Sequence, residues 1–300
     1  MSPRRAPQQL RRSKSVPFVT DARATFTTEP PLVHDKAQTV SPLVRRITAA
    51  NPSHMTGFGT NTYLVGNDEV LVIDPGPEDA AHTKAILKAA KGRIRWIMCT
   101  HTHPDHSPGV PALKAETGAE VMAWSNRGGL RTDRRLRDGD QLVTDEFIIT
   151  AVHTPGHAGN HLCFFLENER MLFSGDHIMQ GSTVVITPPD GDMGAYLESL
   201  AKVRALELTS IAPAHGYVIT DPNAVIDWYT SHRLEREAQL HGLLLEMGSA
   251  RIAQLVEAAY VPLDPILIPM AKRSVHSHLR KLADEGKVEG NGARGVWSVV

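Results

Sequence analysis

Cysteine is nearly absent from this chain: two residues in 300, Cys99 and Cys163, each inside an apolar run. That excludes a disulfide scaffold and points to two buried small hydrophobes in a reducing compartment. A surplus of either charge is also lacking. Formal net charge is -1 with the histidines neutral, so bulk electrostatics argue neither for nor against a nucleic-acid partner. No apolar run approaches the ~20 residues that a membrane-spanning helix needs. There is no secretory apolar segment at the N-terminus. The expectation is a soluble, cytoplasmic protein without a membrane partner, or a mitochondrial one if the basic N-terminus is a transit peptide. At 41% hydrophobic and 22% charged residues, the chain can bury a sizeable core. What is abundant is histidine, with fifteen, the side chain that titrates nearest neutrality and the commonest metal ligand.

Residues 1–40 differ from the rest. Arg4, Arg5, Arg11, Arg12 and Lys14 come with no acidic residue in the first twenty, and Pro3, Pro7 and Pro17 interrupt them. Without hydrophobic periodicity this predicts a disordered basic tail. From Pro42 onward strands alternate with helices. Leu43 to Thr48, Thr60 to Val65 and Val70 to Ile73 read as strands, the last stopped by Asp74-Pro75-Gly76. A helix over 79–90 and a buried strand over 95–100 follow, then strands over 147–153, 161–167 and 171–174, a helix over 197–206 and a strand over 210–214. Two sheets with helices outside bury such elements economically. A long helix from about Ile226 to Met247, helical spacing over 251–259 and 274–283, and two short strands around Asn291-Gly292 suggest a small winged-helix-like module over 233–300, behind a catalytic domain over 41–232.

The chemistry sits in His101-Thr102-His103-Pro104-Asp105-His106, directly after an apolar strand. Imidazole nitrogen and carboxylate oxygen suit borderline ions such as zinc. Four ligand-type residues within six positions can splay toward two adjacent ions, and Pro104 and Pro108 stiffen the loop. Further ligand types stand at later strand ends: His157 in Thr-Pro-Gly-His, Asp176 in Ser-Gly-Asp, His215 in Ala-His-Gly. Seven candidates at successive strand ends make chance a poor explanation.

The order HxHxDH, then His, Asp and His resembles the metallo-β-lactamase superfamily, over about residues 42–222. The resemblance implies an α/β fold, the αββα sandwich, with His101, His103 and His157 on one metal, Asp105, His106 and His215 on the other, and Asp176 bridging. Asp74 matches a buried structural aspartate of the superfamily's first motif. Asp176 stands where class B β-lactamases usually carry Cys, and His103 where flavodiiron proteins carry Glu, so antibiotic hydrolysis and oxygen or NO reduction are not expected. The segment Ser174 to Thr183, the Ser231-His232-Arg233 and Arg236-Glu237 pattern and the winged-helix-like tail resemble the LACTB2-like branch, which includes a single-strand endoribonuclease and uncharacterised hydrolases.

The resemblance implies a dinuclear-metal-dependent hydrolase that uses a metal-bridging hydroxide. Two divalent ions are expected, zinc by preference, with iron or manganese open. The substrate is a small thioester, ester or lactone, or alternatively single-stranded RNA. Arg127, Arg131, Arg134, Arg135 and Arg137 would serve the RNA reading. Asp105 is the expected catalytic residue, a ligand positioned to take up or relay a proton. His177, next to Asp176, is a candidate for substrate contact, while His153 and His161 are satisfied structural histidines or supports behind the ligands. Gly57 to Asn61 reads as a flexible flap. In the tail module, Lys272, Arg273, Arg280, Lys281 and Arg294 are offset by Asp284, Glu285 and Glu289. Duplex DNA is therefore not an expected partner, and docking or homodimerisation is the favoured use.

Overall fold

A computed structural model describes residues 29–300. The first sheet has seven strands in the order β1 (Gln38–Thr39), β2 (Val44–Thr48), β3 (Asn61–Val65), β4 (Val70–Ile73), β5 (Ile94–Met98), β6 (Glu120–Ala123) and β7 (Arg134–Arg135). β1 to β4 pair antiparallel and β4 to β7 parallel. The second sheet runs β12 (Ser210–Pro213), β11 (Met171–Gly175), β10 (Leu162–Leu166), β9 (Ile148–His153), β8 (Gln141–Val143). Only its β11–β12 pair is parallel.

Both sheets have two buried faces, which is why β4 reads as unbroken Val-Leu-Val-Ile. Between them lie Val44, Leu71, Ile73 and Met98 from one sheet and Ile149, Phe164, Phe173 and Ala212 from the other. Outside the first sheet, α1 (Ala80–Ala90) and α2 (Val110–Thr117) contribute Ile86, Ala90, Val110 and Leu113. Outside the second, α3 (Met193–Arg204) contributes Tyr196, Leu200 and Val203, beside Ile226 and Tyr229 from the start of α4 (Pro222–Met247). The result is the expected αββα layering. Local chemistry sets the helix starts: Asp79 caps α1 by accepting from the N–H groups of Ala81 and His82, and Asp192 caps α3 through Ala195.

The described chain falls into two compact units that join in sequence between Ser231 and His232. The second holds β13 (Ser249–Arg251), α5 (Ile252–Ala259), α6 (Ile268–Asp284), β14 (Val288–Gly290) and β15 (Val296–Val299). A three-stranded sheet in the order β13-β15-β14 and the two helices enclose Leu255, Val275, Leu279 and Trp297. α6 starts six residues before the expected Ser274, because Pro269 occupies its first turn, where a missing N–H costs nothing.

One boundary is corrected. The tail expected through residue 40 includes structure from residue 29 onward: β1 pairs with β2, and Glu29 meets the buried Arg46 at 2.8 Å while accepting from the Val218 N–H, also at 2.8 Å. Composition missed this because one carboxylate on one buried guanidinium has no periodicity. The basic stretch within 1–28 lies outside the described residues. Among the described residues no helix is long and apolar enough to cross a membrane.

Candidate metal centre

β4 and β5 run parallel in the first sheet, and β9, β11 and β12 share one direction in the second. Their C-terminal ends therefore lie along one edge of each sheet, and every ligand candidate follows such an end: His101 to His106 after β5, His157 after β9, Asp176 after β11 and His215 after β12. The loops bring them into two groups, His101, His103, His157 and Asp176, and Asp105, His106 and His215, the ligand atoms of each within 4.8 Å of one another.

Asp176 belongs to both groups by distance. Its Oδ2 lies 4.0 Å from His101 Nε2 and 3.6 Å from His157 Nε2. Its Oδ1 lies 3.5 Å from His106 Nε2 and 3.2 Å from His215 Nε2. Asp105 Oδ2 completes the second group, 3.4 Å from His106 Nε2 and 3.3 Å from His215 Nε2. In the first group His103 Nδ1 lies 2.9 Å from His101 Nε2 and 3.0 Å from His157 Nε2.

The partners behind the rings set their tautomers. His157 Nδ1 donates to the Val185 carbonyl at 2.8 Å and His215 Nδ1 to the Gly59 carbonyl at 3.3 Å, because a carbonyl can only accept. His106 Nδ1 donates to Asp74 Oδ2 at 2.9 Å. The Thr100 hydroxyl gives its proton to Asp74 Oδ2, so it accepts from His101 Nδ1 at 3.1 Å. Each of these rings thus turns its Nε2 inward, and in its neutral form that nitrogen is free to bind a metal. Asp74, at φ 50, also accepts from the Thr100 N–H at 2.7 Å, tying β4, the start of the His101 loop and His106 together.

Electrostatics divide the two groups. Burial, reinforced by neighbouring imidazoles, keeps His101 neutral well below the ordinary histidine range and lowers His103 to about 4. Burial also works against charge on His215, but Asp176 and Asp105 outweigh it and push the pKa up to about 9. His106 is raised by the same pair of carboxylates and Asp74. Against their own burial, His106 holds Asp105, and His215 and His106 hold Asp176, below the usual carboxylate range. A buried and a half-buried carboxylate facing two imidazoles favour a cation between them, either a proton or a metal ion in its place.

The orphaned atoms agree. His106 Nε2, His215 Nε2 and Asp176 Oδ1 are buried and have no hydrogen-bond partner. One such atom typically costs about 1–3 kcal/mol, and here three converge. The donor set, five imidazoles and two carboxylates, fits divalent ions of the zinc, iron or manganese type.

Sequence reasoning missed the supports. Thr60 Oγ1 donates to Asp105 Oδ2 at 3.3 Å, and Asn51 Nδ2 donates to that same hydroxyl at 3.0 Å. His161, left among the undecided histidines, is a support: its Nε2 accepts from the Asp176 N–H at 3.2 Å while its Nδ1 meets Thr154 at 2.9 Å. A Cβ on Gly175 would come within 2.7 Å of that ring, so the glycine admits it. No motif of spacing marks these contacts, since each depends on loops brought together from different strands.

Other expectations are corrected. His177, expected at the substrate side, is fully buried, with its ring 5.0 Å from that of Tyr196. His153 lies stacked on Trp124 at 3.7 Å. The Gly57 to Asn61 segment is tied down rather than a free flap: the Thr60 N–H donates to Asn51 Oδ1, and Gly59 N to Thr56 O. Gly59, at φ 136, approaches Ala49 O so closely that a Cβ would lie 2.0 Å from it. In the arginine-rich segment, Arg127 pairs with Asp190 at 2.6 Å, Arg134 with Glu120 at 3.5 Å, and Arg137 covers the Trp124 ring at 5.1 Å.

Comparison with known proteins fits this geometry. Residues 55–215 match the metallo-beta-lactamase superfamily, and residues 252–297 match the beta-lactamase associated winged helix domain. A beta-lactamase-like protein 2 homolog of Drosophila melanogaster is 34% identical, over 82% of this chain and 89% of its own length. An atrochrysone carboxyl ACP thioesterase of Aspergillus chevalieri is also 34% identical, over 90% of this chain and 91% of its own. Among solved structures, a beta-lactamase domain protein from Burkholderia ambifaria superposes with a TM-score of 0.79 at 19% identity, covering 91% of this chain and 96% of that one.

Proposed function

The chain belongs to the metallo-beta-lactamase superfamily as a metal-dependent hydrolase, and from that premise we propose a dinuclear enzyme that hydrolyses carboxylic thioesters, with esters and lactones as chemically related substrates. The observation that carries the dinuclear reading is the division of Asp176, one oxygen toward each group of ligand atoms. His101, His103, His157 and Asp176 would hold one ion, and Asp105, His106, His215 and Asp176 the other. When bound, two such ions supply Lewis acidity that makes a water nucleophilic near neutral pH and favours negative charge on the attacked carbonyl oxygen. Zinc is the preferred ion, with iron or manganese as alternatives.

The protein's own part is positioning and proton handling. His157, His106 and His215 are held by acceptors on three different loops, so their Nε2 atoms point inward before any ligand arrives. Asp105 is the more open carboxylate, its side chain 24% exposed against 12% for Asp176. Asn51 directs the Thr60 hydroxyl onto Asp105 Oδ2, leaving Oδ1 to accept the proton released in hydrolysis. Asp105 is therefore the proposed proton acceptor.

The thioester class is supported by a relative, 34% identical along nearly its whole length, that is named a thioesterase. The RNA alternative loses ground because Arg127, Arg134 and Arg137 are engaged within the protein. Turnover of metal-loaded enzyme on a thioester, a lactone, a cephalosporin and a short RNA tests the reading. Hydrolysis of the thioester, abolished by His103→Ala, is the expected result. RNA cleavage without thioester hydrolysis would sink it.

A further inference from the structure

The connection between β11 and α3, residues 176–192, has no helix or strand of its own and is longer than most connections inside a domain. It nevertheless reaches both ligand groups. It begins with Asp176, its Gln180 N–H points to the His215 carbonyl at 3.5 Å, and its Val185 carbonyl accepts from His157 Nδ1 at 2.8 Å. A carbonyl can orient a ring only if it is itself held.

Two buried tyrosines from the outer helices meet this connection. Tyr196 of α3 donates its hydroxyl to the His177 carbonyl at 2.8 Å. Tyr229 of α4 engages three backbone groups. Its hydroxyl accepts from the Met179 N–H at 3.0 Å, and its single proton is shared by the Ser182 carbonyl and the Met179 carbonyl, the latter at 3.0 Å. Tyr229 is 1% exposed and belongs to the same apolar cluster as Ile178, Val184 and Ile186, so its ring packs against the connection that its hydroxyl ties.

The ends of the connection have other anchors. The Asp176 N–H donates to His161 Nε2 at 3.2 Å, the His177 N–H to the Ser174 carbonyl at 2.9 Å, and the Asp192 N–H to the Gly156 carbonyl at 2.8 Å. The turn from Met179 to Ser182, just ahead of Val185, is where Tyr229 acts. In the second ligand group the acceptors behind the rings stand on other segments, Asp74 for His106 and Gly59 for His215.

We propose that Tyr229 is a positioning residue of the metal centre, whose hydroxyl fixes the Met179 to Ser182 turn and with it the Val185 carbonyl that orients His157. The inference rests on the two-ion reading above. It makes the first ion, on His101, His103, His157 and Asp176, depend on a helix that supplies no ligand.

Tyr229→Phe keeps the ring in the apolar cluster and removes only the hydroxyl. In the full-length protein, competition between zinc and a chelator should show one ion weakened about 10–100-fold and the other changed by less than about threefold. In the metal-free protein, long-range proton–nitrogen correlation should show the neutral His157 ring protonated on Nδ1 in the wild type and as a mixture of tautomers in the variant. Ile86→Val, a buried change in α1, is the reference for general destabilisation: it should lower the thermal midpoint and leave zinc affinity and the His157 tautomer as they are. Unchanged zinc affinity in Tyr229→Phe, or an unchanged tautomer, would overturn the proposal. So would an equal loss of zinc in Ile86→Val. If the wild type binds a single zinc ion, the two-ion reading fails, and the His157 tautomer alone decides the role of Tyr229. If Tyr229→Phe does not fold, 3-fluorotyrosine placed at position 229 serves instead. Its fluorine signal should shift as zinc is added, since coupling between two sites is reciprocal, and a signal constant across the titration rejects the proposal.

Discussion

Two buried polar clusters, one in each unit, differ in kind. The C-terminal unit buries Arg233, Arg236, Glu237 and His278 together. Here the protein brings its own cations. Lys281 Nζ meets Glu237 at 2.9 Å, and Arg236 lies 4.0 Å over the Tyr260 ring while donating to the Ala259 carbonyl at 3.1 Å. In the catalytic unit, the ion-pair partners of the Asp105 and Asp176 carboxylates are all imidazoles, and no Lys or Arg approaches them within ion-pair distance among the described residues. A buried histidine cluster is thus a candidate metal site where the fold withholds the counter-cation. That criterion is physical, and a count of histidines does not contain it.

Removing Asp176 should break the contrast most severely. Asp176→Ala takes a ligand from both groups, so metal content measured by emission spectroscopy should fall from two ions to one or none. Turnover should fall by about three orders of magnitude or more. Retention of two ions and full rate would refute the bridging role. Next comes Asp74→Ala, which leaves His106 Nδ1 and the Thr100 hydroxyl without their acceptor. Metal affinity should drop about 10–100-fold, read by competition with a chelator. An unchanged affinity would mean that the ring needs no orienting partner.

Glu237→Ala acts on the other cluster and should cost about 1.5–3 kcal/mol of stability, because it strips an acceptor from Lys281 and the carboxylate beside His278. Metal content should not change, and a loss of metal would erase the distinction between the clusters. The smallest effect concerns pH. Burial, with Arg233 adding to it and Glu237 opposing, lowers His278 to about 4. Its folded-state pKa lies below the unfolded value of about 6.5. The neutral ring's contribution is therefore full above about 6.5 and is lost as pH falls toward 4, at no more than about 1.4 kcal/mol per pH unit. His278→Gln should flatten the thermal midpoint over that window.

Much of this was legible before any coordinates. The candidate ligand set is readable because each member follows an apolar strand, and strand ends are easy to locate in runs such as Ile-Arg-Trp-Ile-Met. The layers were readable because strands buried on both faces have no alternation to confuse. What escaped depends on contacts between loops: Thr60 on Asp105, His161 behind Asp176, and Val185 behind His157. For His177, adjacency to Asp176 in the sequence does not bring exposure at the site. After β11 the chain turns, and the next side chain faces Tyr196 instead. α2, β6 and β13 escaped as well, being short elements whose pattern does not rise above that of the surrounding turns.

The contact between Glu29 and Arg46 has a practical consequence for where the catalytic unit begins. The composition changes near Pro42, and a shortened protein would naturally be started there. Such a protein would bury a guanidinium with its counter-ion cut away and would free the Val218 N–H, three residues beyond His215. Its defect would surface as weak metal retention and be mistaken for damage to the active site. The functional border of this enzyme therefore lies within a stretch that composition alone marks as dispensable.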